Sequence, residues 1–195
     1  MIKTLRPALL LLSLASGAAR PAFAQERPNP AALIAAQKEA MKAFAGMDGV
    51  WRGPAWTILP SGEKHSITQT ERIGPFLDGT VKVLEGRGYD SDGRVTFNAF
   101  GTISFSPATK TYTLHSHAMG NVGDFTFKPT ADGYTWEIPM GPARTLRYTA
   151  VIKDGTLKEV GDVLEPGKDA FRNFEMVLKR VGDTTWPAGD AVPQK

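Results

Sequence analysis

The stretch Ala99–Gly123, AFGTISFSPATKTYTLHSHAMGNVG, decides the architecture. Apolar and polar residues alternate on both sides of the Pro107 to Lys110 turn, the period of a strand with one buried face. Folding the two runs about that turn sets Phe105 opposite Tyr112, Ile103 opposite Leu114, Gly101 opposite Ser116 and Ala99 opposite Ala118. One face is then apolar, and the other carries Thr102, Thr113, His115 and His117. A slip of one residue would turn every side chain over, so agreement across the turn fixes the faces.

The row continues downstream. A tight Gly120-Asn121 turn is expected to set Ala118 opposite Gly123 and Ser116 opposite Phe125. The next loop places Phe127 by Tyr134 and Phe125 by Trp136, and the hairpin after it pairs Trp136 with Leu146 and Tyr134 with Tyr148. Asp154-Gly155 is a strong hairpin turn, giving Ile152 with Leu157, Ala150 with Glu159 and Tyr148 with Gly161. The last pair is expected to match Val163 with Phe174, Gly161 with Met176 and Glu159 with Leu178.

Turn signals divide the chain from Val50 onward into ten candidate strands, near 49–59, 65–73, 79–87, 95–105, 111–119, 122–128, 133–139, 144–153, 156–165 and 171–181. One helix precedes them. Asn29 and Pro30 suit its cap and first position, the Ala-rich run from Ala31 to Ala45 forms it, and Gly46 ends it. Leu33, Ile34, Met41 and Phe44 share a face of that helix. One helix is too little to cover so wide an apolar sheet. Closure buries the face and removes the edges, so the expected fold is all-β: an up-and-down antiparallel barrel of about ten strands behind one N-terminal helix. A β-sandwich is the alternative.

Residues 1–24 read as a signal peptide. Lys3 and Arg6 start it, Leu9 to Leu14 carries its apolar run, and Ala22-Phe23-Ala24 is a cleavage site. The run is too short to span a bilayer, so no membrane anchor is expected after cleavage. The expected division is a signal at 1–24, a lead-in and helix at 25–46, a barrel domain at 47–181 and a tail at 182–195. The expected location is periplasmic or secreted. Lys3, Arg6 and Arg20 account for the whole excess of 23 basic over 20 acidic residues, so the charge gives no support for a nucleic-acid partner. With 0 Cys, disulfides, thiolate metal sites and Cys nucleophiles are excluded. No phosphate-binding loop, dinucleotide fingerprint or hydrolase nucleophile elbow is present.

Two further stretches carry a resemblance. Gly49-Val50-Trp51-Arg52-Gly53 opens the first strand after a short helix, and Phe174 to Arg180 closes the last strand on an Arg. Together with Gly88-Tyr89-Asp90, they resemble an uncharacterised bacterial family of exported lipocalin-like (calycin-type) barrels, over most of residues 40–186. The resemblance implies that Trp51 packs at the closed end with Arg180 lying over it, a structural cation–π pair. The Gly-x-Trp-Arg-Gly opening is also similar to nitrobindin-type haem barrels, whose iron ligand is a late His. Here no His follows His117, so that ligand is not carried over and no cofactor is expected.

The inward face is large at Phe97, Phe105, Tyr112, Phe125, Phe127, Tyr134, Trp136 and Tyr148, and small at Ala99, Gly101, Ser116, Ala118, Gly123, Ala150 and Gly161. Small residues at mid-strand predict a cavity for a small apolar or aromatic molecule, bounded by Ser116, Phe125, Trp136, Tyr148, Glu159 and Met176. The competing reading is a barrel filled by large and small side chains in alternation. Glu159 is the one acid on that face, expected to pair with Arg180 or to anchor a ligand. Glu85 and Arg87 are further candidates on a strand whose register the sequence leaves open. His115 and His117, with Asp124 expected opposite His117, have the residue types of a zinc site but lie on the outward face, so no metal is expected. Asp90-Ser91-Asp92-Gly93 reads as a hairpin turn rather than a calcium loop. The expected function is non-catalytic ligand binding. The alternatives are an enzyme using Glu159 or His115/His117 as acid–base groups, and a filled barrel that meets a protein partner.

Overall fold

The computed structural model describes residues 29–186. The helix α1 spans Pro30–Met41 and runs on through a 3-10 turn, Lys42–Met47. Ten strands follow: β1 Gly49–Ile58, β2 Lys64–Phe76, β3 Val81–Tyr89, β4 Val95–Ser106, β5 Thr111–Ala118, β6 Asn121–Thr130, β7 Gly133–Pro139, β8 Thr145–Lys153, β9 Thr156–Leu164 and β10 Phe171–Gly182. Each pairs antiparallel with its chain neighbour, and β1 also pairs with β10, so the sheet is a closed barrel. The sandwich alternative is thereby excluded. The expected signal peptide and most of the expected tail lie outside the described residues.

The helix starts as its sequence requires. Asn29 Oδ1 accepts from the Ala31 amide at 3.0 Å, and Pro30 takes a first-turn position whose N–H has no helical partner anyway. It lies over one end of the barrel and buries Met41, Phe44 and Met47. Of its expected apolar face, Ile34 stays outward and exposed, because the helix crosses the rim rather than the lumen. The Tyr112 hydroxyl donates to the Ala40 carbonyl at 3.1 Å, and the Phe44 ring meets those of Tyr112 and Phe127 edge-on at 5.0 and 5.2 Å. Beneath it, Trp51, Ile73, Phe127, Ile103, Leu157 and Leu178 are each at most 1% exposed. This end is a plugged core.

Every expected face assignment along β4 to β10 holds, but four hairpins pair two residues away from expectation. The β4–β5 and β8–β9 registers are as expected. Between β5 and β6 the turn is Met119-Gly120, both at positive φ, so Ala118 faces Asn121 and Ser116 faces Gly123. Phe127 then faces Trp136, and Trp136 faces Tyr148. A bulge between Arg172 and Phe174 moves Phe174 to Gly161, and Met176 faces Glu159. A shift of two keeps parity, which is why the faces survive the error.

Candidate functional site: the open end of the lumen

Among the described residues, no helix plugs the end away from α1. Ser116, Phe125, Trp136, Tyr148 and Phe174 point into the barrel by register, yet each is only partly buried. We term this end the mouth. Its wall is aromatic. Trp136 and Tyr148 stack nearly parallel with centroids 4.2 Å apart, Phe125 leans on Trp136 at 5.5 Å, and Phe174 meets Tyr148 edge-on at 5.7 Å.

The small residues do not leave the open space their size implies. A Cβ on Gly123 would lie 2.6 Å from the Phe125 ring, one on Gly161 3.0 Å from Tyr148, and one on Gly101 3.1 Å from Leu114. Neighbouring large side chains lie on the glycines, as in an interdigitated core. At these positions side chains occupy the barrel interior, and the residues deeper along the strands include the polar Gln69 and Glu159.

Glu159 sits at the floor, 6% exposed, beside Met176 at 4%. It does not pair with Arg180. Its Oε1 accepts from the Trp136 indole N–H at 2.9 Å, and its Oε2 from the Tyr134 hydroxyl at 3.2 Å. Burial pushes its pKa up to about 7, against the lowering effect of those two donors. Tyr134 and Tyr148 are in turn held in their neutral form, first by burial and then by the nearby Glu159 charge.

Across the floor, β2 supplies a second acid that the sequence reading missed. Glu71 faces inward next to Trp51 and over Gly86, where a Cβ would stand 2.8 Å from its Oε1. Gln69, 3% exposed, donates from Nε2 to Glu71 Oε1 at 2.6 Å. Glu71 is inward by register yet keeps some accessible surface, and it also lines the groove of about 250 Å³ shared with Thr70, Arg72, Glu85 and Arg87. Burial raises its pKa to about 8, offset in part by Gln69 and added to by the charges of Glu159 and Glu85. The signal was present in Ile67, Gln69, Glu71 and Ile73, which share one parity with polar residues between apolar ends.

The other candidates disperse. Arg180 faces Trp51 across the β1–β10 ladder, but its guanidinium turns outward to the Asp48 carbonyl at 3.2 Å and Asp183 at 2.5 Å. No cation–π contact forms, and the Trp51 indole instead donates to the Met47 carbonyl at 2.9 Å. Among the described residues, the cation–π contacts are Lys64 on Trp56 and Arg72 on Trp186, the latter docking the chain after β10 against the outer wall. Glu85 and Arg87 pair with each other at 2.6 Å on the outside, beside a groove of about 250 Å³. His115 and His117 are exposed, and Asp124 meets His115 at 2.6 Å rather than His117, a consequence of the two-residue shift. No group of three metal-ligating side chains forms among the described residues. A second groove, of about 380 Å³, runs over the rim past Phe100, His117 and Val122.

No family model matches the chain, and no curated protein matches it. Among solved structures, it is similar to the crystal structure of Rv2717c from M. tuberculosis, with a TM-score of 0.55 and 14% identity over 73% of this chain and 97% of that one. The likeness is one of fold. At that identity it supports the barrel and carries no site residue across.

Proposed function

We propose that the protein is an exported barrel that binds a small, largely apolar molecule through the open end of its lumen and performs no chemistry on it. One observation supports the reading: Phe125, Trp136, Tyr148 and Phe174 turn inward at the end away from the helix and keep accessible surface, with no helix among the described residues packed over them. A concave aromatic wall with few polar groups suits a small ligand. The export half rests on the Lys3-to-Ala24 leader and on the resemblance to exported lipocalin-like barrels. A periplasmic or secreted protein beginning at Gln25 is the expected mature form.

A second reading has its own support. Gly101, Gly123 and Gly161 are covered by their neighbours, as in a filled barrel that acts through its outer wall. Native mass spectrometry of protein purified from its own host separates the two. A retained small molecule, with tryptophan emission that responds to added 1-naphthylmethanol and loses that response in Trp136→Phe, is the expected result. Ligand-free protein whose emission ignores the probe would leave only the filled barrel standing. N-terminal sequencing of the same sample checks export, and an intact Met1 would end that part.

A further inference from the structure

The lumen floor has a chemical bias that the aromatic mouth alone does not. Glu71 and Glu159 both face inward, and among the described residues neither makes an ion pair with a Lys, Arg or His. Lys82, the inward cation on neighbouring β3, is committed to Asp48 at the plugged end. The groups facing the two acids are Trp51, Gly86, Ala150 and Met176 on adjoining strands, with Gln69, Tyr134, Trp136 and Tyr148 around the lumen and Glu85 acting through the wall. None carries a positive charge. Gln69 is 3% exposed, and its carbonyl oxygen accepts no hydrogen bond among the described residues. Glu71 Oε2 is likewise free of a partner. Two acceptors with unused capacity therefore stand together, beside a carboxyl whose oxygens each hold one donor. Neither acceptor is sealed from solvent, and the two acids, lacking a counter-charge, are costly to ionise until something supplies positive charge.

We propose that the lumen selects an organic cation, an amine or guanidine on an apolar or aromatic body, with its charged end at Gln69, Glu71 and Glu159 and its body against Trp136, Tyr148 and Phe174. The inference rests on the ligand-binding reading above and narrows its ligand class. The aromatic wall suits the same ligand, since the faces of Trp and Tyr attract cations. Binding of a cation favours the ionised carboxyls, so it releases protons and strengthens as pH rises through the range in which Glu71 and Glu159 titrate.

The test uses the mature chain and three probes of one shape: 1-naphthylmethylguanidinium, which stays charged throughout, 1-naphthylmethanol, and 1-naphthoate. Calorimetry near pH 8.5 is expected to find the guanidinium bound about tenfold or more tighter than the alcohol, the naphthoate weakest, and the preference reduced to about twofold near pH 5.5. Runs in two buffers of different ionisation enthalpy are expected to show proton release for the guanidinium alone. The double variant Glu71→Gln/Glu159→Gln should equalise guanidinium and alcohol while still binding the alcohol. Should that variant not fold, the pH dependence and proton release of the unaltered protein decide the matter. If the alcohol binds as tightly as the guanidinium near pH 8.5, the cation preference is wrong and lumen binding stands. If none of the three binds, both readings fail together.

Discussion

The two ends of the barrel are built from the same alternating strands and end up as different materials. At the helix end, Phe44 and Met47 drop onto Trp51, Phe127, Leu157 and Leu178, and this layer is dry. At the other end, Phe125, Trp136, Tyr148 and Phe174 are as large and as apolar, yet stay partly accessible. What separates them is not strand composition but a lid: one helix of 12 residues with its trailing turn packs on one end, and among the described residues no helix packs on the other. The acids sit where the two regimes meet. A strand that faces inward does not by itself make a core; a second layer has to meet it.

The largest effect expected from breaking this contrast is at the plug. Phe44→Ala removes a ring wedged between Tyr112 and Phe127 and should cost about 3–5 kcal/mol, as truncations of fully buried aromatics do. Trp136→Ala at the mouth should cost less, about 2–3 kcal/mol, since its ring is already partly hydrated and much of the loss is the hydrogen bond to Glu159. Urea unfolding of both variants measures the difference. Equal losses would mean that the mouth is as tightly packed as the plug, and the contrast would go.

The boundary between the regimes is read by pH. Glu71 has its pKa raised to about 8 when folded, against 4.5 for an unperturbed carboxyl. Between those values the native state holds more protons than the unfolded chain, so its contribution to stability is present at low pH and is lost as pH climbs through the window. Glu71→Gln should leave stability near pH 5 almost unchanged and raise it by about 2 kcal/mol near pH 8.5, less than the full amount of about 1.4 kcal/mol per pKa unit because Glu71 keeps some contact with solvent. A variant that tracks the unaltered protein across the whole range would place Glu71 in water rather than at the lumen floor.

Much of the fold was legible because parity is a robust quantity. Hairpin loops changed length or centre, yet each error was an even number of residues, so the greasy set from Phe97 to Met176 still pointed inward. Register was not robust. Met119 takes positive φ although it is no glycine, and the tighter turn this allows moved Asp124 from His117 to His115. The site was legible by half. Glu159 stood out as the lone acid among apolar neighbours on strands already aligned. Glu71 and Gln69 did not, because β2 has no short hairpin turn with a strong sequence signature to fix its faces: Gly62 lies in an ordinary loop, and the β2–β3 link passes through Leu77 and Asp78 at positive φ. The Arg180 partner was drawn from resemblance, and the Asp48 carbonyl and Asp183 hold its guanidinium outward.

The smallest expected effect sets the zero of the scale. His115 lies on the outer wall, exposed, with only Asp124 at 2.6 Å and the His117 ring at 4.9 Å for company. An exposed ion pair of this kind contributes between nothing and about 1 kcal/mol, and only while the imidazole is protonated. His115→Ala should therefore move the unfolding free energy near pH 7.5 by about 0.5 kcal/mol or less. Leu114, its chain neighbour, is buried against Phe125 on the inner face, so Leu114→Ala should cost about 2–4 kcal/mol. Adjacent residues with such unequal costs would locate the wall of the barrel to a single peptide unit. Similar costs would mean that something covers the outer face at β5, and the losses measured at the plug and the mouth would no longer be attributable to the inward side alone.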